Sequence, residues 1–401
     1  MNILIIVIAL ATAAYLAFSP RLRKSSDWKA MVTPLASIMG SGFLVSAPLL
    51  AGAVGLYAWF SMAGLLLVAY AVGNAIRFNI RHFEPIENKG LGVPQDLALL
   101  SRLVLAGAYF ISVTYYLQLL AAFVLHLLGM ENGVLAHAIT TALLIIIGGV
   151  GIWRGLAELE GMERYAVSLN LGMIAALLIA LVIYNLQLAG NGSWALPDID
   201  STLDFHDTRI LLGLLIVVQG FETSRYLGDE HPADQRIRTM RWAQLVSAAI
   251  YLVFIGLATV LFRSDFGTDV TAIMAMTKPV AVVLPVLLAV AAIGSQFSAA
   301  VADNAGVGGL LVDLLHHKLR LRLVYLLIMI ITIVLTWQTD VNGIISYASR
   351  AFALYYALQC AVALSVAWEK RDLSARYTRM AWFGLLTLIC LAVLILGVPA
   401  E

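Results

Sequence analysis

Charge is scarce in this sequence. Asp, Glu, Lys and Arg make up 12% of its 401 residues against 61% for apolar residues, and the mean hydropathy is +0.91. A water-soluble domain carries about 25% charged residues, so this composition excludes a soluble globule and describes an integral membrane protein. Cysteine is nearly absent as well: Cys360 and Cys390 lie within apolar runs, where they read as small core residues and not as a disulfide framework or a metal site. No long basic block accompanies the net charge of +1, which sets nucleic acid aside as a partner. The histidines are dispersed or lie at helix ends, neither a Walker loop nor an HExxH motif occurs, and Gly306, Gly308 and Gly309 follow no strand and read as helix packing. Covalent chemistry is not indicated, no cofactor is implied, and an enzyme is not expected.

Long apolar runs are what the sequence does have. A bilayer core about 30 Å thick takes about 20 apolar residues per helix, and twelve such stretches occur, near 2–19, 31–54, 56–78, 97–129, 132–152, 162–187, 208–228, 240–262, 279–315, 322–338, 341–367 and 379–397. The first has no basic residues before it and four after it (Arg21, Arg23, Lys24 and Lys29), so it reads as a retained span rather than a cleaved signal. Lys and Arg collect in cytoplasmic loops. With the N-terminus outside, 21 of the 25 fall on the cytoplasmic side and only Arg209, Arg263 and Lys278 on the other, with Arg350 inside a span. Both termini are therefore expected outside, in what would be a bacterial inner membrane. The longest outer loop, "LAGNGSWALPDIDSTLDFHDT", is acidic and lacks Lys and Arg.

Two spans carry residues that do not suit a plain membrane helix. The second contains Gly40, Ser41 and Gly42 in "ASIMGSGFLVSAPLLAG", about ten residues and about 15 Å past its cytoplasmic end, near the midplane. On this segment alone, close helix packing and local unwinding are both open. The seventh span contains Gln219, Gly220, Glu222 and Thr223 near its midplane, where a carboxylate costs at least about 2.5 kcal/mol. The two segments lie five spans apart and run in opposite directions. Paired interruptions of that kind point to a substrate site between inverted halves of a secondary transporter. An unwound segment presents bare amides to a carboxylate and bare carbonyls to an ammonium or a metal cation. Ile38, Gly40, Ser41, Gly42, Gln219 and Gly220 are thus candidate substrate contacts.

At these residues the sequence resembles the amino acid/polyamine/organocation superfamily, whose members have the leucine-transporter fold. The likeness rests on "GSGFLVSAPLLAG" beside a glycine-rich first core helix, and on "GFETSRYLGDEHPADQRIR" beside the sixth, matched at Gly220, Phe221, Glu222, Asp229, Glu230, Pro232 and Arg236. It implies an all-α membrane protein of twelve transmembrane helices. A five-plus-five inverted-repeat core with broken first and sixth core helices would occupy 30–188 and 208–368, joined by an outer loop at 189–207. One extra helix would precede the core (1–29) and one follow it (369–401). The resemblance also implies Phe221 as an aromatic gate, with Tyr115 or Tyr116 closing the site from the opposite side; simple packing is the alternative for the tyrosines. The interval from Glu222 to Pro232 is shorter than in typical amino acid permeases, and the first core helix has no DPGN-like signature of a divalent-metal transporter.

Three ionisable residues inside spans, Glu222, Asp303 and Arg350, are candidates for coupling. Arg225 lies one turn after Glu222, as an i,i+3 partner would. Asp303 lies on the eighth core helix, the element that in sodium-coupled relatives supplies hydroxyls to a cation; Ser295 and Ser298 would be those hydroxyls here, and Asp303 would join the cation site or carry a proton. Arg350 is either a structural partner of Asp303 or Glu222 or a contact for an anionic substrate group. The sequence is read as a secondary active transporter of a small polar solute, an amino acid or a related organic ion, embedded in membrane lipid and driven by H+ or Na+. An inorganic-ion carrier of the same fold, or a non-transporting receptor or accessory subunit, are the other readings. The topology predicts that single cysteines in the loop after residue 188 react with an impermeant thiol reagent from outside, and those near residue 236 only from inside; the reverse labelling overturns it.

Overall fold

The structure, a computed structural model, describes residues 1–130, 132–154, 156, 163–201, 203–228, 230–263, 269–315 and 318–399, with the side chains of 41, 163 and 164 outside that description. Asp229 of the seventh-span motif, the side chain of Ser41, and His316 and His317 thus lie outside the described residues. The chain folds as α1 (Asn2–Phe18), α2 (Pro20–Lys24), α3 (Ser26–Val54), α4 (Ala58–His82), α5 (Val93–Leu127), α6 (Gly133–Trp153), α7 (Glu163–Gly190), α8 (Phe205–Gly213), α9 (Ala233–Ala258), α10 (Ala272–Thr277), α11 (Leu284–Leu314), α12 (Leu321–Gln338), α13 (Val341–Glu369) and α14 (Arg376–Leu396). No strand occurs among the described residues. Ten helical stretches there are long and apolar enough to cross a membrane, and one of them, Ser26–Ile86, holds both α3 and α4.

Helices are what a bilayer demands, because each satisfies its own backbone. Around α5 the chain builds its interior: α11 and α13 pack on it, α9 packs on α3 and α4, α7 packs on α1 and α11, and α14 covers α13. Large rings fill the centre, with Phe43, Tyr115, Tyr116, Phe221, Tyr251, Tyr355 and Tyr356 all buried.

The apolar stretch at 208–228 is broken. After α8, a 3-10 turn spans Leu215–Val218, Gln219 is extended, Gly220 is left-handed at φ 114°, and a second 3-10 segment covers Phe221–Tyr226. The expected break at Gln219 and Gly220 is therefore present. The expected break in the first core helix is not. Helix α3 runs without interruption through Gly40, Ser41 and Gly42, although Pro34 and Pro48 lie inside it. Its glycines serve close approach instead: a Cβ on Gly42 would stand 2.6 Å from Val217 Cα, and one on Gly40 would stand 3.2 Å from Ser295 Oγ. Small residues in membrane helices let backbones meet, and here the backbone that α3 meets is the broken segment.

Gly220 completes that contact. A Cβ there would overlap Ser37 Oγ and lie 2.7 Å from Ile38 N, and the left-handed backbone costs a side-chain-bearing residue about 1–2 kcal/mol before any clash. Gly220→Ala and Gly42→Ala are each expected to lower the unfolding temperature in detergent. Gly107→Ala, at a helical position where a Cβ meets nothing within 4 Å, is expected to be neutral or stabilising by up to about 1 kcal/mol. Equal behaviour of the three variants contradicts the close-approach account.

Candidate functional site

A broken membrane helix must find partners for its freed backbone groups, and this one finds them on two neighbouring helices or within itself. The Ile216 N–H donates to Ser349 Oγ at 2.9 Å. The Tyr251 hydroxyl lies 2.7 Å from the Val217 carbonyl and 3.1 Å from that of Ile38, tying the break to α3. The Gly220 N–H donates to Glu222 Oε2 at 2.9 Å, and the same oxygen accepts from the Tyr356 hydroxyl at 2.7 Å. Thr223 Oγ1 donates to the Gly220 carbonyl at 2.8 Å, and the Gln219 side-chain Nε2 donates to Tyr116 Oη of α5 at 3.1 Å. Phe221 stacks on Tyr356, with ring centroids 5.2 Å apart and planes 15° from parallel.

Below the break lies a cavity of about 570 Å³, lined by five elements. From α3 it takes Thr33, Ser37 and Gly40; from the broken segment, Thr223, Tyr226 and Glu230; from α11, Ser295, Ser298 and Asp303; Tyr109 of α5 and Asn170 of α7 complete the polar lining. On all three principal elements the lining starts at the level of the break and continues toward the ends where the basic loops lie. It stops there on the other side, because Phe43, one turn beyond Gly40, packs on Phe254 and Tyr251 with centroids 4.4 and 5.4 Å apart. The cavity thus reaches mid-membrane from the basic face.

Its polar groups are positioned by one another. The Ser112 hydroxyl of α5 donates to Asp303 Oδ2, Asn170 donates to Ser295 Oγ at 3.2 Å, and Gln296 donates to the Gly40 carbonyl at 2.9 Å. Hydroxyls, an amide and two carboxylates face the space, and no Lys or Arg is among the described lining residues. Such a surface offers acceptors to an ammonium and hydroxyl donors to a carboxylate.

Of the residues singled out from sequence, Gly40, Ser295, Ser298 and Asp303 come together around this cavity. Ile38, Gly42, Gln219, Gly220, Phe221 and Glu222 lie at the break that bounds its closed end, and Tyr115 and Tyr116 are buried behind it with rings 5.2 Å apart. Thr33, Ser37, Tyr109, Asn170 and Tyr226, which also line it, were not among the sequence candidates. A search for intramembrane charge passes over neutral polar side chains, and the amide at 170 inside an apolar run is the signal that would have found that position.

Two expected partnerships are corrected. Arg225 does not pair with Glu222: its guanidinium donates to Gln359 Oε1, lies 3.5 Å from Glu87 and sits 5.6 Å from the Phe83 ring centroid. A 3-10 segment repeats every three residues, but the Arg225 side chain runs to the α4 end and α13, while Glu222 folds back on its own chain. Arg350 does not join Asp303 or Glu222 either; its Nε donates to the Leu394 carbonyl of α14 at 2.8 Å. At the basic face Arg236 closes the segment, with Glu84 at 2.6 and 3.0 Å and the His231 and Arg225 carbonyls at 3.0 and 2.8 Å.

Comparison with known proteins agrees with this geometry. A family model described as APC superfamily transporter matches residues 20–397. A protein of Aquifex aeolicus (strain VF5), described as uncharacterized, is 42% identical over 367 residues, which cover 89% of each chain. A match across nearly the whole length, on a helical membrane protein with a mid-membrane polar cavity, assigns the family: the chain belongs to the APC superfamily of transporters.

Proposed function

We propose that this transporter is a secondary active carrier of a small solute bearing an ammonium group, an amino acid or a related amine, driven by a proton gradient. The observation that carries this reading is the character of the cavity: Asp303 and Glu230 face it among hydroxyls and an amide, and no Lys or Arg is among its described lining residues. An ammonium is the complement of such a surface, and Asp303 stands mid-membrane where a charge without function is selected against. The intact α3 supports the same choice. Its Gly40–Gly42 amides are engaged in the helix, so a substrate carboxylate would be met by hydroxyls such as Ser37, Thr223 and Ser298 and not by bare backbone.

In this reading the chain has twelve spans, with inverted five-helix units at 30–188 and 208–368 and one flanking helix on each side. The described conformation has its cavity open to the basic face, and alternating access exposes it to the other. Asp303 carries the coupling proton, with Ser112 holding the carboxylate toward the cavity. Glu222, fully buried and engaged with Gly220 and Tyr356, holds the break in shape.

Proteoliposomes test this directly. The parent protein is expected to accumulate an amine or amino acid under a pH gradient without sodium. Asp303→Asn is expected to abolish accumulation while exchange of labelled for unlabelled substrate continues. Accumulation by Asp303→Asn equal to the parent contradicts a proton role for Asp303, and accumulation that requires sodium assigns the coupling to Ser295, Ser298 and Asp303 as a cation site. Glu222→Gln is expected to lower thermal stability along with transport; a loss of coupling in a fully stable protein moves the proton to Glu222.

A further inference from the structure

A second cavity, of about 390 Å³, lies away from the transport pathway, between the basic-face ends of α4, α9 and α14. Four arginines line it, Arg77 and Arg81 from α4, Arg241 from α9 and Arg379 from α14, and no Asp or Glu is among its described lining residues. Arg81 has a carboxylate at the rim, Asp234 at 2.8 Å, and both of those side chains are well exposed. Arg77, Arg241 and Arg379 have no ion pair among the described residues.

Arg77 is the unusual member. Only 4% of it is exposed, yet its neighbours are neutral: the Gln244 side-chain carbonyl, the Tyr70 carbonyl at 3.3 Å and the Tyr70 ring at 4.9 Å. Its Nε has no hydrogen-bond partner. A buried guanidinium without a carboxylate leaves its desolvation uncompensated, and the two other unpaired arginines around the same space add to the positive potential. Helix α14 contributes too. Its N-cap, Ala375, lines the cavity and offers no side-chain cap, so the first N–H groups of a 21-residue helix lie beside the space, an arrangement that favours an anion.

The place of the cavity selects which anion. Asn74, Arg241, Thr378 and Trp382 of its lining are exposed on the outer wall of the bundle. Trp382 and the neighbouring Trp242 are 42% and 55% exposed, as amphipathic rings at headgroup depth are. An opening in a lipid-facing wall, at the level where the helices end, is reached from the membrane surface. We infer that this cavity binds the phosphodiester of an anionic phospholipid, with Arg77, Arg241 and Arg379 around the phosphate and the acyl chains along α4 and α14. Guanidinium forks match the two free oxygens of a phosphodiester, and basic pockets between helices on the cytoplasmic side take such headgroups.

The test uses the full chain, purified in detergent and freed of lipid. Phosphatidylglycerol is expected to raise the unfolding temperature and to appear as bound adducts in native mass spectrometry, whereas phosphatidylcholine and inorganic phosphate at the same concentration do neither. The paired change Arg241→Gln with Arg379→Gln, which leaves the buried Arg77 and the transport cavity untouched, is expected to weaken phosphatidylglycerol binding by roughly tenfold or more, since each basic residue near an anionic lipid contributes about a factor of five. Equal binding of phosphatidylcholine overturns the proposal, as does undiminished phosphatidylglycerol binding by the variant. Protection by inorganic phosphate equal to that by the lipid overturns the lipid assignment and makes the site one for a soluble anion. The comparison of lipids on the parent protein decides the question even if the variant does not purify.

Discussion

The rest of this structure depends on one contact, that between an unbroken α3 and the broken segment that crosses it. Val217 fits against Gly42 and Gly220 fits against Ser37 and Ile38, so neither chain can carry a side chain at those positions without displacing the other. The Tyr251 hydroxyl bridges carbonyls of both. Interrupting a membrane helix frees amides and carbonyls that cost several kcal/mol each in hydrocarbon. The described partners, Ser349, Glu222, Tyr251 and Thr223, offset that cost locally. With the break held there, Thr223, Tyr226 and Glu230 share the lining of the cavity with Thr33, Ser37 and Gly40 of α3.

Charge is arranged to match. Around the cavity the described groups are acidic or neutral, while the basic residues of the same segment pair at its end. These pairs are not equal. Arg81–Asp234 and Arg238–Asp27 have both partners more than half exposed, and such pairs contribute about 0–1 kcal/mol. Arg236 is buried, binds both oxygens of Glu84 and also caps three carbonyls; removing one partner of such a pair costs about 3–5 kcal/mol. Arg236 and Arg225 therefore fasten the lower half of the broken segment to the end of α4, and the carboxylates that face solute are left to the cavity.

Much of this was legible in the sequence. Apolar runs of membrane length marked the helices, and Gln219, Gly220 and Glu222 marked the break, because an amide, a glycine and a carboxylate in one turn cannot be accommodated by a lipid-facing helix. The glycines of α3 were read as a second break, and that was wrong for a reason local to them: Gly and Ser in a span serve unwinding and close packing equally, and only the presence of Val217 opposite Gly42 distinguishes the two. Arg225 was misassigned because sequence spacing gives the neighbour along the helix and not Glu87 or Gln359, which approach from other elements. Asn170 and Tyr109 reach the cavity as neutral side chains, invisible to a search for charge.

The central claim is that the space beside α3 and α11 opens to the basic face and is sealed above the break by Phe43 and its ring neighbours. Ala302 lines that space without an assigned role. Placed there in a background lacking Cys360 and Cys390, a cysteine tests the claim most directly through its alkylation rate with an impermeant maleimide in sealed vesicles of both orientations. Without substrate or gradient, Ala302→Cys is predicted to react from the face bearing the basic loops and to be slowed when an amine substrate is added there. Faster reaction from the opposite face, or no reaction from the basic one, contradicts the account.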